Sequence, residues 1–338
     1  MEQAIRFSEP AERGNGARSI GAAFRFLYRG SSWLTWTGVL MLADIVVCVA
    51  GLIADPATIT GAPAWMKPLK FAISTALFSF SVAFMIGQLR QTRRLAAIVG
   101  RFMAVALTIE IVLIDMQAAR HTTSHFNRTT PFDTAVFGVM GIGIAVVLLC
   151  TALLLGAAFR ERFSDAALGW SIRLSLLLAL LGMGVGALMT LPTPEQLAAQ
   201  QATGGTMPHI GAHTVGAPDG GPGLPVAGWS ADHGDLRIAH FIGLHAMQVL
   251  LLAWWLALRR WKWSDARQLR LVFAAALSIG TVFGVVLWQA LRGLPLLRPD
   301  VPVGVVYAGW AVLTLVLGTW AASAAKPNDT ALMKFEGK

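Results

Sequence analysis

The chain has 338 residues, of which 55% are hydrophobic and 13% charged, and its formal net charge is +9. A soluble domain would carry about a quarter charged residues, so this composition argues against a soluble protein. The basic residues are dispersed over several connections and form no single patch, which argues against a nucleic-acid partner.

Apolar runs of membrane-spanning length recur along the chain. A helix needs about 20 apolar residues to cross the hydrocarbon core of a bilayer. Eight runs approach or exceed this length: 33–53, 68–88, 96–116, 133–159, 171–191, 237–258, 269–290 and 301–325. The runs lack the polar face that helices of a soluble bundle show. The predicted fold class is therefore an all-α, polytopic transmembrane helical bundle of about eight spans, which requires the lipid bilayer as its partner.

The basic residues predict the orientation of the spans. Most of the 27 Lys and Arg residues fall before the first span, after the last one, or in every second connection. Cytoplasmic connections are enriched in Lys and Arg, so both termini are predicted to be cytoplasmic, and the expected location is a bacterial inner (plasma) membrane. The predicted divisions are a cytoplasmic N-terminal segment 1–32, with a disordered start, a membrane domain 33–325 and a cytoplasmic tail 326–338.

One connection is much longer than the others. Residues 192–236 are rich in glycine, proline and histidine, but they also contain Ile210, Val215 and Trp229. A flexible linker would be richer in Ser, Glu and Lys. Long connections inside compact domains are often functional, so we expect an ordered lid over the outer face.

The seven histidines all fall on the predicted outer side. They are His121, His125, His209, His213, His233, His240 and His245. The orientation came from Lys and Arg alone, so this one-sided distribution is an independent observation. Histidine transfers protons near neutral pH and is a common metal ligand. The pattern predicts an outward-facing polar site.

Helical spacing groups polar residues inside the spans. Gln248 follows His245 on one face of the sixth span, and Glu110, Gln117 and His121 share a face of the third span if that helix reaches His121. Asp44 lies near the middle of the first span, deeper than the others. Ionisable groups within spans usually face the bundle interior or a watery cavity. The predicted catalytic residues are therefore Glu110, His245, Gln248 and Asp44.

A cofactor is one hypothesis for this site. Neutral imidazoles with a carboxylate suit a transition metal, and the candidate metal ligands are His121, His125, His240, His245 and Glu110. A b-type haem held axially by His125 with His240 or His245 is the alternative. No C-x-x-C-H motif occurs, so a covalently attached c-type haem is excluded.

Three classes of function remain open. The first is a metal- or haem-dependent protein acting on a small lipophilic or periplasmic substrate. The second is a proton-coupled transporter or channel in which Glu110 and Asp44 exchange protons and His245 controls access. The third is a non-catalytic membrane subunit or sensor whose outer histidines respond to pH. Asp115 and Lys70, at the outer ends of their spans, are expected to pair with each other or with the site.

Overall fold

A computed structural model describes residues 16–323 and confirms the predicted fold class. Eight helices in this part of the chain are long and apolar enough to cross a membrane. They are α2 (Ser32–Ala54), α3 (Met66–Gln88), α4 (Arg93–Ala119), α5 (Pro131–Arg160), α6 (Ala166–Met189), α8 (Leu236–Arg259), α9 (Asp265–Leu291) and α10 (Val301–Ala322). The chain is thus an integral membrane protein of the polytopic helical class. The proposed tail 326–338 lies outside the described residues.

A further helix precedes the first span, where the sequence predicts only a cytoplasmic lead-in. Helix α1 comprises Gly16–Gly30. Ile20, Phe24 and Leu27 lie four and three residues apart, which places them along one side of the helix. Arg25 and Arg29, one turn apart, are exposed. Such a helix with an apolar and a basic side is typical of a segment that lies in the membrane interface.

The long connection folds into short elements across one end of the bundle. It contains helix α7 (Pro194–Thr203) and two strands, β3 (Thr214–Val215) and β4 (Gly234–Asp235), which pair antiparallel in the register Thr214↔Asp235. The first connection carries a second small hairpin, β1 (Thr58–Ile59) with β2 (Ala62–Pro63).

Helices α6 and α8 pack closely against each other. A Cβ added at Gly243 would lie 2.6 Å from the Cα of Gly182, a separation that no real side chain tolerates. Small residues let membrane helices approach until their backbones touch. This contact orients α8, so that His240 faces the carbonyl oxygen of Gly182 on α6 and His245 faces Ser74 on α3.

The two ends of the bundle differ in chemistry. One end, which we call the histidine end, contains the 190–235 connection, the start of α3, the end of α4 and the start of α8. The opposite end, which we call the basic end, contains α1 and the start of α4 with Arg93, Arg94 and Arg101. By the enrichment of Lys and Arg on the cytoplasmic side, the histidine end is the predicted outer end.

Candidate functional site

Glu110 is the central buried acid of the histidine end. It lies on the inward face of α4 and is 3% exposed. Neither of its carboxyl oxygens has a hydrogen-bond partner among residues 16–323. Buried polar groups are nearly always hydrogen-bonded, and an ionisable group inside a membrane span is costly to keep. A carboxyl group left in this condition is typical of a site that binds a proton or a ligand.

His125 faces this carboxyl group. Its Nε2 atom lies 3.4 Å from Oε1 of Glu110. On the other side of the ring, Nδ1 lies 3.0 Å from both the Lys67 ammonium and the Ser124 hydroxyl. An ammonium group can only donate, so Nδ1 accepts, and the neutral ring carries its proton on Nε2, towards Glu110. Burial, followed by the positive charge of Lys67, holds the pKa of His125 well below its ordinary value, so the neutral form prevails near pH 7.

Lys67 supplies the positive charge of the site. It lies in the first turn of α3, is only partly exposed, and interacts electrostatically with Glu110 across the His125 ring. The three side chains thus form a continuous series from ammonium to imidazole to carboxyl. We refer to Lys67, His125 and Glu110 as the triad.

Two more histidines surround His125. His240 and His213 both interact electrostatically with it. The Nδ1 atom of His240 lies 2.7 Å from the carbonyl oxygen of Gly182, so the ring donates its proton there. The ring of His213 packs edge-on against Phe126, with ring centres 4.8 Å apart. His125 thus lies near enough to His240, and to His213 of the long connection, for electrostatic interaction.

His245 and Gln248 lie next to α3 and apart from the triad. The Nε2 atom of His245 lies 3.4 Å from the Ser74 hydroxyl, and its Nδ1 atom lies 3.3 Å from Oε1 of Gln248. Gln248 in turn donates to the Ser81 hydroxyl at 3.1 Å. The predicted pairing of His245 with Gln248 is present in this geometry. Among the described residues, no direct contact joins His245 to Glu110, because α3 provides the polar groups in between.

His121 does not share a helix face with Glu110 and Gln117, contrary to the sequence-based expectation. Helix α4 ends at Ala119, and His121 takes a positive φ of 54° that turns the chain away. Its ring lies 3.0 Å from Asp55 on the exposed surface. Gln117 donates to the side chain of Asp133 in the first turn of α5 at 2.9 Å, so its amide is directed to α5 and not to the triad.

Asp44 belongs to a separate cluster. Its carboxyl group shares a hydrogen bond with Asp115, and the Cys48 thiol donates to it at 3.8 Å. A hydrogen bond between two carboxyl groups requires that one of them is protonated. Asp115 is five residues from Glu110 on α4, so the two acids point to different sides of the helix. The expected pairing of Asp115 with Lys70 is wrong, because Lys70 donates to the Ala227 carbonyl at 2.7 Å.

The candidate metal and haem ligands do not converge. Among residues 16–323, the only group of three or more ligand-type side chains with ligand atoms within 4.8 Å of one another is Asp44, Cys48 and Asp115. His121 is on the surface, and both ring nitrogens of His125 already face other side chains. Both nitrogens of His245 are engaged in the same way. The geometry therefore gives little support to a metal bound by the five predicted residues, or to haem ligation by these rings.

Sequence reasoning missed the contribution of α3. Lys67, Ser74 and Ser81 follow one another at intervals of seven residues, so they lie along one face of this helix. Each contacts a residue of the candidate site: His125, His245 and Gln248, respectively. The heptad spacing of a lysine and two serines within an apolar run was the signal that would have revealed them.

Asp219 holds the long connection in place above the triad. It accepts hydrogen bonds from the backbone N–H groups of His213 and Thr214, and from Nδ1 of the His213 ring at 2.8 Å. Burial alone would raise the pKa of Asp219, but these hydrogen bonds and the adjacent imidazole lower it below its ordinary value. The pKa of His213 is lowered by burial, although Asp219 opposes that shift.

Replacement of Asp219 by asparagine is expected to open this segment more often. The loss of a buried charged acceptor costs about 1–3 kcal/mol, so the amides of His213 and Thr214 should exchange with solvent roughly ten- to a hundredfold faster. Because the folded-state pKa is depressed, the stabilisation is present above the ordinary carboxyl pKa and is lost as the pH falls through the folded value. Hydrogen exchange measured against pH tests this prediction.

The matched control is Asp232→Asn. Asp232 pairs with Arg298 on the exposed surface of the same connection, where a salt bridge contributes little. Equal exchange rates in the two variants would contradict the role of Asp219.

No protein-family model, curated protein or solved structure matches this chain. Its class, an integral membrane protein of the polytopic helical type, follows from the fold, and its function has to be inferred from the geometry of the histidine end.

Proposed function

We propose that the chain is a proton-coupled membrane transporter and that Glu110 takes up and releases the coupled proton. The single observation that carries this proposal is the Glu110 carboxyl group, buried within a span with neither oxygen hydrogen-bonded and 3.4 Å from the imidazole of His125. Ionisable groups in such positions are typical of proton relays in pumps and transporters.

The triad favours reversible proton transfer. The protonated nitrogen of His125, Nε2, lies 3.4 Å from Glu110, while Lys67 lies at the opposite ring nitrogen. Protonation of Glu110 removes a charge from the apolar interior, and deprotonation creates a carboxylate that Lys67 stabilises electrostatically. The protonated and the deprotonated forms of Glu110 are therefore both stabilised, as a proton carrier that alternates between them requires.

A polar path leads from the triad into the membrane. Along α3, Lys67 to Ser81 covers 14 residues, or about 21 Å. His245 and Gln248 of α8 contribute from the facing side. This path spans roughly two thirds of the hydrocarbon thickness of about 30 Å. Its polar side chains are suited to carry a proton, or the polar part of a small solute.

The path ends before the basic end. After Ser81, α3 continues with Val82, Met85 and Ile86, none of which is more than 2% exposed. Met247 of α8, which is fully buried, belongs to the same apolar cluster. This apolar layer separates the polar path from the basic end. A transporter that exposes its site to one side at a time requires such a closed layer.

The first experiment measures proton movement in vesicles. The full-length protein is reconstituted with a pH-sensitive dye inside, and an inward proton gradient is imposed with the membrane potential clamped, alone and with panels of cationic, neutral and anionic solutes. We expect protein-dependent acidification that Glu110→Gln abolishes, because glutamine keeps the shape of the side chain but carries no proton.

The matched control is Asp300→Asn, which changes an acid at the surface of the same end. It should leave proton movement unchanged. If the Glu110→Gln protein acidifies the vesicles as fast as the unchanged protein, Glu110 is not the proton carrier.

A further inference from the structure

A second feature, independent of the triad, lies at the basic end. A groove of about 500 Å³ opens between α1, α2 and α4. Its lining includes the aromatic side chains Tyr28, Trp33 and Trp36, and Trp33 and Trp36 are each 52% exposed. The volume is in the range of small-molecule binding sites.

The groove faces the bilayer and begins at its surface. Its lining on α2 runs from Ser32 to Leu40, about 12 Å along the helix axis. Since one leaflet contributes about 15 Å of hydrocarbon, the groove spans most of one leaflet, starting at the interface. The tryptophans at its mouth occupy the depth of the lipid glycerol region, where such side chains are enriched.

The groove also contains hydroxyl groups, which a surface facing only hydrocarbon does not need. Ser32, Thr37 and Thr108 line it together with its apolar side chains. Thr108 donates to its own helix at Ala104, and its oxygen lies 3.4 Å from that of Thr37. Thr37 is buried and directs its hydroxyl proton to Thr108, whereas the partly exposed Ser32 hydroxyl can donate to an ester carbonyl at this depth.

Positive charge surrounds the mouth of the groove. Arg101 lies four and seven residues before the lining residues Val105 and Thr108, so it is on the same face of α4. Arg25 lies three residues before Tyr28 on α1, and Arg29 follows Tyr28 directly. All three arginines are exposed, and none of them makes an ion pair within residues 16–323. Exposed arginines at a membrane surface attract anionic headgroups.

We propose that this groove binds one anionic phospholipid. Its headgroup lies between Arg25 and Arg101, an ester carbonyl lies beside Ser32, and one acyl chain packs against Trp33, Trp36 and Leu40. Helix α1, which is held against Trp36 by Phe24, forms one wall of the site, with Phe24 and Trp36 ring centres 6.0 Å apart. Occupancy would anchor α1 on the bundle.

The test measures lipid affinity of the full-length protein. The purified protein in neutral detergent is titrated with phosphatidylglycerol and, separately, with phosphatidylcholine, and bound lipid is counted by mass spectrometry of the intact complex. We expect tighter binding of phosphatidylglycerol. Arg101→Gln and Arg25→Gln should each weaken it roughly fivefold, the effect of one interfacial charge, and leave phosphatidylcholine unchanged.

The matched control is Arg260→Gln, which removes an exposed arginine from the end of α8, elsewhere at the basic end. It should not change either affinity. Equal affinity for the two lipids, or an equal loss in Arg260→Gln and Arg101→Gln, would overturn the proposal.

A second measurement needs no arginine variant. In vesicles with brominated phosphatidylglycerol, tryptophan fluorescence should be quenched more than with the same fraction of brominated phosphatidylcholine. The difference should disappear in the Trp33→Phe/Trp36→Phe protein. Quenching that does not depend on the headgroup, or on these two tryptophans, would place the lipid elsewhere.

Discussion

Replacement of Lys67 by methionine should destabilise the protein by about 2 kcal/mol, less than the loss of a buried ion pair in direct contact, because the His125 ring separates Lys67 from Glu110. The reason is that Glu110 remains buried and loses the cation that interacts with it. Unfolding of the detergent-solubilised protein in mildly alkaline solution measures the change in free energy.

The double variant Lys67→Met/Glu110→Gln distinguishes the loss of the Lys67–Glu110 interaction from the other effects of replacing Lys67. Glutamine carries no charge, so the double variant should recover most of the stability lost in Lys67→Met. Lys70→Met is the matched control: it removes the same charge one turn further along α3, where the lysine contacts only a carbonyl oxygen. That loss should be about 1 kcal/mol. Additive effects of the two triad substitutions would show that Lys67 and Glu110 are not coupled.

The second large effect is expected at His245. Its two polar contacts are long, at 3.3 and 3.4 Å, so they contribute little to stability. Polar contacts between membrane helices average about 0.6 kcal/mol, and leucine is favoured at this depth, so His245→Leu should fold and insert normally. Proton movement in vesicles should nevertheless fall by about a hundredfold, the low end of what a positioned acid–base side chain contributes.

Two further variants test whether the effect of His245→Leu comes from the loss of a proton-carrying side chain at this position. His209→Leu changes an exposed histidine of the long connection and should leave proton movement unchanged. His245→Gln keeps hydrogen-bonding capacity but cannot carry a proton near neutral pH, so it should be as impaired as His245→Leu. Equal, mild effects of His245→Leu and His209→Leu would mean that the buried histidine is structural.

The structure also favours proton coupling over the other two classes of function. A metal or haem enzyme needs donor atoms that converge on one point, and His121 is turned away on the surface while the nitrogens of His125 and His245 face other side chains. A sensor based on outer histidines would not need an acid buried as Glu110 is. The proposed proton-coupled transport would account for both the polar face of α3 and this carboxyl group.

The amino-acid sequence by itself determined the class of the protein and the residue types of its site. Apolar runs of spanning length leave few alternatives, since each backbone polar group in a bilayer must be paired within a helix. Glu110, His245 and Gln248 were identifiable as candidate site residues from the sequence, because polar groups within such runs are energetically costly and usually functional. The spacing of Ile20, Phe24 and Leu27 is a helical signal for α1, but the polar residues around these positions obscure it.

Only the tertiary structure decided which of these residues meet. Helical spacing indicates which side chains share a face, but not which helices are neighbours. That is set by contacts such as Gly182 against Gly243, where the absence of side chains allows two backbones to touch. Packing places α3 between α4 and α8, so Lys67 reaches His125 and Ser74 reaches His245, while Asp44 and Asp115 pair on another side of α4. A chain turn at His121, where φ becomes positive, moves that histidine to the surface, and such a turn has no periodic signal in the sequence.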